Sequence, residues 1–384
     1  MLERFALRTR VQPARWNFPE NGALIEGRNS DSRWPCVLPG LTLILLAASL
    51  FAQNYTVQES NTNENLRGLS VPSPEIIWAS GTHGTYLRST DGGDSWQIGH
   101  VAGAEALDFR DVVAFGAELA YLLSAGPGDQ SRIYKTTDGG RNWTLQFTNS
   151  DAKGFFDCFA FWDPQHGIVL GDPVSERGKQ PRFQLITTED GGQTWKRIPA
   201  AALPPAINGE GAFAASGSCI AVEGKANVWF ASGGRAARVF RSTDAGQTWT
   251  VASTKIVHGA DSSGIFSIAF RDSKHGVIAG GDYQQPAQGG PDLAFTDDGG
   301  LSWQLAVVEP QSYFSSVVWV GNPVASSPAI LVGGSVQAAY TDRIENRDWN
   351  RAWYLNLNTV GYCAPGKAIA VGPKGLIVRL VIPQ

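Results

Sequence analysis

The sequence predicts an all-β protein: a single seven-bladed β-propeller of four-stranded antiparallel blades, closed by an N-terminal strand that joins the last blade. Three observations predict it. The phrase Ser/Thr-x-Asp-x-Gly-x-x-Trp is written five times without a gap, at Ser89 to Trp96, Thr136 to Trp143, Thr188 to Trp195, Ser242 to Trp249 and Thr296 to Trp303. Its tryptophans stand 47, 52, 54 and 54 residues apart, the length of one four-stranded unit with its loops. With 44 Gly and 21 Pro in 384 residues, the composition suits short strands and tight turns rather than long helices.

Each residue of the phrase has a folding role. The carboxylates of Asp91, Asp138, Asp190, Asp244 and Asp298 and the preceding hydroxyls are short acceptors for backbone N–H groups a few residues on. The Gly two places after each Asp supplies a positive φ. Trp96, Trp143, Trp195, Trp249 and Trp303 then open the outgoing strands and offer a large apolar face to the space between blades. These residues resemble the Asp-box, or BNR, repeat of sialidases, some endoglucanases, sortilin-type receptors and photosystem II stability and assembly factors. The resemblance implies a box on the turn between the two outer strands, away from the substrate face, so the five Asp residues are structural.

Residues 1–52 differ in kind. Six arginines precede the apolar run Val37 to Ala52, which is short for a membrane span and ends in small residues. A secretory signal cleaved near Ala52 is expected, with 53–384 as the propeller; an uncleaved leader is the one route to a membrane. The whole chain carries a net charge of −4, and the 25 basic and 31 acidic residues beyond position 52 give −6. Such a surface disfavours nucleic acid as a partner. Of the four Cys, Cys158, Cys219 and Cys363 lie in apolar runs of separate repeats, where free buried thiols are expected, with one disulfide allowed by an oxidising compartment.

The repeats follow in order. The first unit spans residues 66–99, the second 108–148, the third 155–198, the fourth begins at Phe213, and the fifth spans 265–308. A sixth covers residues 313–355 with a decayed box: Tyr340-Thr341-Asp342 starts it, Ile344 replaces the Gly, Trp349 arrives two residues late, and an irregular, mobile hairpin is expected. The last unit shows three strands, Thr359 to Ala364, Ala368 to Gly372 and Leu376 to Leu380. The alternating stretch Asn54 to Glu59 supplies the fourth and removes an open edge.

In a propeller the start of each innermost strand faces one end of the central channel. Aligned units place Arg67, Arg110, Phe156, Phe266 and Phe314 together, followed by Gly68, Asp111, Asp157, Ser267 and Ser315. Arg67, Arg110, Asp111 and Asp157, with Asp172 from a neighbouring loop, are therefore the candidate binding residues. They suit an anion or a basic peptide, or else pair with one another to hold blades together. A glycoside hydrolase reading drafts Asp157, Glu210 and Asp282 as carboxylates beside Tyr283. A third arginine for a sialidase cluster is absent, so no catalytic residue is assigned. No histidines have zinc-ligand spacing and the boxes miss the calcium-loop pattern, so neither metal nor cofactor is expected.

The phrases Trp78-Ala79-Ser80-Gly81, Leu87-Arg88-Ser89-Thr90-Asp91-Gly92-Gly93, Ala370-Val371-Gly372 and Gly375-Leu376-Ile377-Val378-Arg379 resemble the photosystem II stability/assembly-factor-like group over roughly residues 54–384. The resemblance implies an exported, monomeric, non-catalytic scaffold that binds a protein or peptide on its arginine-bearing face. The alternative is a glycan-binding or glycan-hydrolysing propeller.

Overall fold

The computed structural model describes residues 55–175, 178–306, 312–321, 329–341 and 351–382. The expected leader at 1–52 and the sixth box turn from Asp342 to Trp349 lie outside them. Seven antiparallel sheets form the seven blades. Their innermost strands are Leu66–Ser70, Phe109–Ala114, Phe156–Phe161, Ile220–Glu223, Ser263–Phe270, Ser316–Val320 and Thr359–Ala364. The seventh blade is completed by Tyr55–Gln58, which pairs antiparallel with Ile377–Val381 from the other end of the chain. Among the described residues the helical content is two single turns, Gly128–Gln130 and Ala200–Ala202.

Burial changes across each blade for a simple reason. Second strands such as Ile77–Gly81 and Ala120–Ser124 are buried on both faces between neighbouring blades, and so read as continuous small and apolar runs. Outer strands such as Gln97–His100 face solvent and are polar. The core is the set of apolar seams between sheets: Ile77, Leu87 and Trp96 of the first blade pack with Ile369 and Val371 of the seventh.

The five boxes share one geometry. The Ser/Thr hydroxyl accepts the N–H of the Gly four residues on at 2.8–2.9 Å. The Asp accepts the N–H four residues beyond itself at 2.9–3.0 Å. That Gly holds φ between 85° and 90°, which a side chain would strain. Hydrogen bonds from the side chain and then the backbone of the residue four places on pull Asp91, Asp138 and Asp190 down to about 2. Four of the five boxes are also joints, because the preceding blade donates to their glycine carbonyls: Tyr86 to Gly140 at 2.6 Å, Tyr121 to Gly191 at 3.0 Å, Trp229 to Gly299 at 2.8 Å and Arg379 to Gly92 at 3.0 Å. The box tryptophans face these joints. Only the Trp249 indole finds an acceptor, Gly246 O at 2.9 Å, whereas the N–H groups of Trp96, Trp143, Trp195 and Trp303 are buried without one.

Two expectations are corrected. The fourth inner strand begins at Ile220, not Phe213; Glu210–Gly211 instead pairs with Gly233–Gly234 as a small ladder added to the fifth blade's sheet. Cys158 and Cys219 are joined in a disulfide, leaving Cys363 free. The cause is topological: Cys158 lies in the third inner strand and Cys219 immediately precedes the fourth, so neighbouring blades bring two thiols distant in sequence to one seam.

Candidate functional site: the channel mouth

The inner strands begin with a repeated irregularity. Register slips by one residue at Arg67, between Leu66 and Gly68, and likewise at Arg110, Asp157 and Phe266. A bulge of this kind leaves one residue unpaired and re-aims its side chain. All four bulged residues line one cavity of about 500 Å³ at the channel mouth. The third unit is thus displaced by one from its sequence alignment: Asp157, not Phe156, stands where Arg67 and Arg110 stand.

The same slip removes Asp111 from the cavity wall. In three blades the side chain two places after the buried leading residue turns towards the next blade, where its oxygen accepts a backbone N–H. Asp111 takes that of Phe159, Ser267 that of Val317 (each 2.9 Å) and Ser316 that of Val360 at 3.3 Å. Asp111 is 3% exposed, and burial pushes its carboxyl well above the usual range against the pull of the Phe159 and Val112 N–H groups. It is an inter-blade clasp.

Arg110 does not pair with Asp111. Its Nε donates to Asp108 at 2.7 Å and its Nη1 to the carbonyl of Ala214 at 3.1 Å. Arg67 meets no carboxylate within ion-pair distance among the described residues; with its amide oxygen turned towards it, Asn65 accepts from Nε at 3.3 Å and Nη2 at 3.1 Å. Burial, and then the positive charge of Arg110, lower the Arg67 pKa. Asp157 and Asp172 lie on the acidic side. Burial raises Asp157 well above the ordinary carboxylate range, Asp172 raises it further, and Arg110 opposes both. Burial also raises Asp172, against a 2.9 Å hydrogen bond from the Ala212 N–H.

The rest of the wall comes from a strap the sequence does not announce. Residues 212–218 cross the channel before entering the fourth blade: Phe213 stacks on Phe266 at 3.9 Å, Ala214 O meets Arg110, and Ser216 Oγ donates to Ser315 O at 2.6 Å. Tyr283, 48% exposed, stands over both rings at 6.5 and 6.2 Å. Tyr313 and Asn358 also line the cavity. Asn358 immediately precedes the seventh inner strand, so a search for matching bulge positions would have found it; Phe213 and Tyr313 carry no such signal.

The other drafted carboxylates are occupied. Glu210 is buried, takes both the Nε and Nη2 of Arg238, and accepts the Ile207 N–H at 2.8 Å. Asp282 caps its own turn through the Gln284 N–H at 2.9 Å. His166 and His275, from matched turns, each lie 2.8 Å from an aspartate three residues earlier, Asp163 and Asp272.

No family model matches the chain. It is 26% identical over 149 residues to the photosystem II assembly lipoprotein Ycf48 of Synechococcus sp. (strain CC9902), a stretch covering 34% of this chain and 43% of that protein. The chain thus spans less than half the length of that curated relative. Its fold is similar to YCF48 from Cyanidioschyzon merolae, with a TM-score of 0.59, 18% identity and coverage of 85% of this chain and 98% of that one. It is also similar to a YCF48 solved bound to D1 peptide, with a TM-score of 0.54, 15% identity and coverage of 87% and 97%. The WD40 propeller domain of Doa1 is comparable, at 0.55, 14%, 86% and 96%. At these identities the structural likeness speaks for the fold alone; with the sequence match, the chain resembles the photosystem II assembly-factor propellers.

Proposed function

We propose that the chain is an exported, non-catalytic scaffold whose channel-mouth face takes a segment of a protein partner, in the manner of an assembly factor. The observation that carries the reading is Arg67: a guanidinium without a carboxylate partner among the described residues, on the wall of a cavity walled by Phe213, Phe266 and Tyr283. A planar donor fork beside aromatic faces suits a carboxylate-bearing peptide, and a rigid ring holds it in place. The Ycf48 relative is named an assembly lipoprotein and one structural neighbour was solved with a peptide, which supports a peptide over a small metabolite. Export is supported by the Cys158–Cys219 disulfide, a bond kept in oxidising compartments. On this reading residues 53–384 act as a monomeric domain after removal of the leader.

The test is capture from the exported fraction of the host with the full chain as bait. The Arg67→Ala/Arg110→Ala variant should lose its specific partner at least tenfold while keeping its melting temperature. Unchanged capture would remove this face from consideration. Hydrolysis of a sialoside, xyloglucan or β-glucan that disappears in Asp157→Asn would replace the scaffold reading with the glycan one.

A further inference from the structure

The polar groups of the cavity are not all partnered. Arg110 is neutralised by Asp108 at 2.7 Å, which leaves Arg67 on one side and two carboxyls, Asp157 and Asp172, on the other. Asp157 is 1% exposed, and its Oδ2 is buried without a hydrogen-bond donor from the protein. An orphaned carboxylate oxygen is costly inside a protein, where buried polar atoms are nearly always paired. Two facts show that it is not there to hold the fold. The neighbouring bulges carry Arg67, Arg110 and Phe266 at the same position, so the turn does not require Asp. The link to the next blade belongs to the residue one place later, Asp111 in the second blade through the Phe159 N–H and Cys158 here through its bond to Cys219.

We propose that Asp157 and Asp172 form a subsite for one cationic side chain, the ammonium of a lysine or the guanidinium of an arginine, of the segment bound at the channel mouth. The inference rests on the peptide-binding reading above and adds the chemistry of one position in that peptide. An ammonium brings three donors and no acceptor, which matches an oxygen that lacks only a donor. Asp172 spends one oxygen on the Ala212 N–H at 2.9 Å, which fixes its carboxyl beside Asp157. The alkyl stem would run along Phe155 and Phe213, which line the same cavity, as long cationic side chains do when only their heads are polar. Arg67, on the same wall, would take an acidic group of the same segment, so the cavity reads a peptide with charges of both signs in a set order.

The experiment uses small probes on the full chain, so that no partner need be known. Binding of n-butylammonium, n-butanol and n-butyrate is followed by saturation-transfer NMR and titration calorimetry. The cation should bind at least tenfold more tightly than the alcohol. Asp157→Asn and Asp172→Asn, which keep shape and hydrogen-bonding capacity, should each cut that preference at least tenfold, whereas Arg67→Ala should leave it intact. Equal binding of cation and alcohol, or a preference that both Asn variants retain, overturns the subsite. If the preference is absent while Arg67- and Arg110-dependent capture persists, only the subsite fails. If the preference holds and capture does not depend on the arginines, the peptide reading fails and the subsite stands as an amine site.

Discussion

One residue at the head of an inner strand decides between the cavity and the neighbouring blade. In Phe109-Arg110-Asp111 the first side chain is buried, the second is bulged towards the mouth and the third crosses to the Phe159 N–H at 2.9 Å. Removing that acceptor strands a buried donor, so Asp111→Ala should cost about 1–3 kcal/mol in urea unfolding. Asp111→Asn keeps an acceptor and removes the carboxyl. Because burial raises the Asp111 pKa in the fold, the folded state holds its proton more tightly than the unfolded chain. The wild type therefore loses stability as pH rises from the ordinary carboxylate range, and an Asn side chain has nothing to titrate. The advantage of Asn over Asp should grow between pH 4 and pH 7. A gap that shrinks over that interval would mean that Asp111 is stabilised as a carboxylate, and its role as a buried clasp would need revising.

At the scale of elements, the blades were legible in the sequence because the boxes repeat a local hydrogen-bond solution, and local solutions leave letters. Asp91, Asp138, Asp190, Asp244 and Asp298 each accept from a residue four places away, so the phrase is the same in all five of these copies. The cavity was legible only in part. Arg67 and Arg110 are visible because two bulged cations align; Asp157 aligns one position off, since a bulge inserts a residue without changing composition. The 212–218 strap stayed hidden because nothing local dictates it: its contacts run to Arg110, Phe266 and Ser315, far off in sequence. Its anchor is the Cys158–Cys219 bond, which closes a loop with a sequence separation of 61. Chain-entropy arguments give a closure of that length about 4 kcal/mol. Urea unfolding with a strong reductant should show a correspondingly lower midpoint, and Cys158→Ala/Cys219→Ala should reproduce it. A midpoint indifferent to reductant in the wild type would mean that the two thiols are free.

For the whole molecule the question is how a chain with two ends makes a ring without an edge. Six blades draw all four strands of their own sheet from one stretch of chain, but the seventh takes three from the C-terminal end and borrows Tyr55–Gln58 from the N-terminal end. The borrowed strand covers Ile377–Val381, whose open edge would otherwise template association. It is not the sole fastening. Arg379 reaches Asp94 at 2.7 Å and Gly92 at 3.0 Å in the first blade, and the Leu66 N–H donates to the Gly372 carbonyl at 3.1 Å. Deleting residues 55–60 should therefore leave the ring folded but weaker. Four paired residues are lost, and at ~1 kcal/mol net per ladder hydrogen bond the cost is about 4 kcal/mol. The bared edge should also make the truncated protein self-associate as concentration rises, seen as a concentration-dependent sedimentation coefficient where the full chain shows none. The two effects must appear together, because both follow from the same strand. A truncated chain with an unchanged melting temperature would show that the inner-strand staples alone close the ring, and one that is destabilised yet strictly monomeric would show that the Ile377–Val381 edge is protected by something other than Tyr55–Gln58.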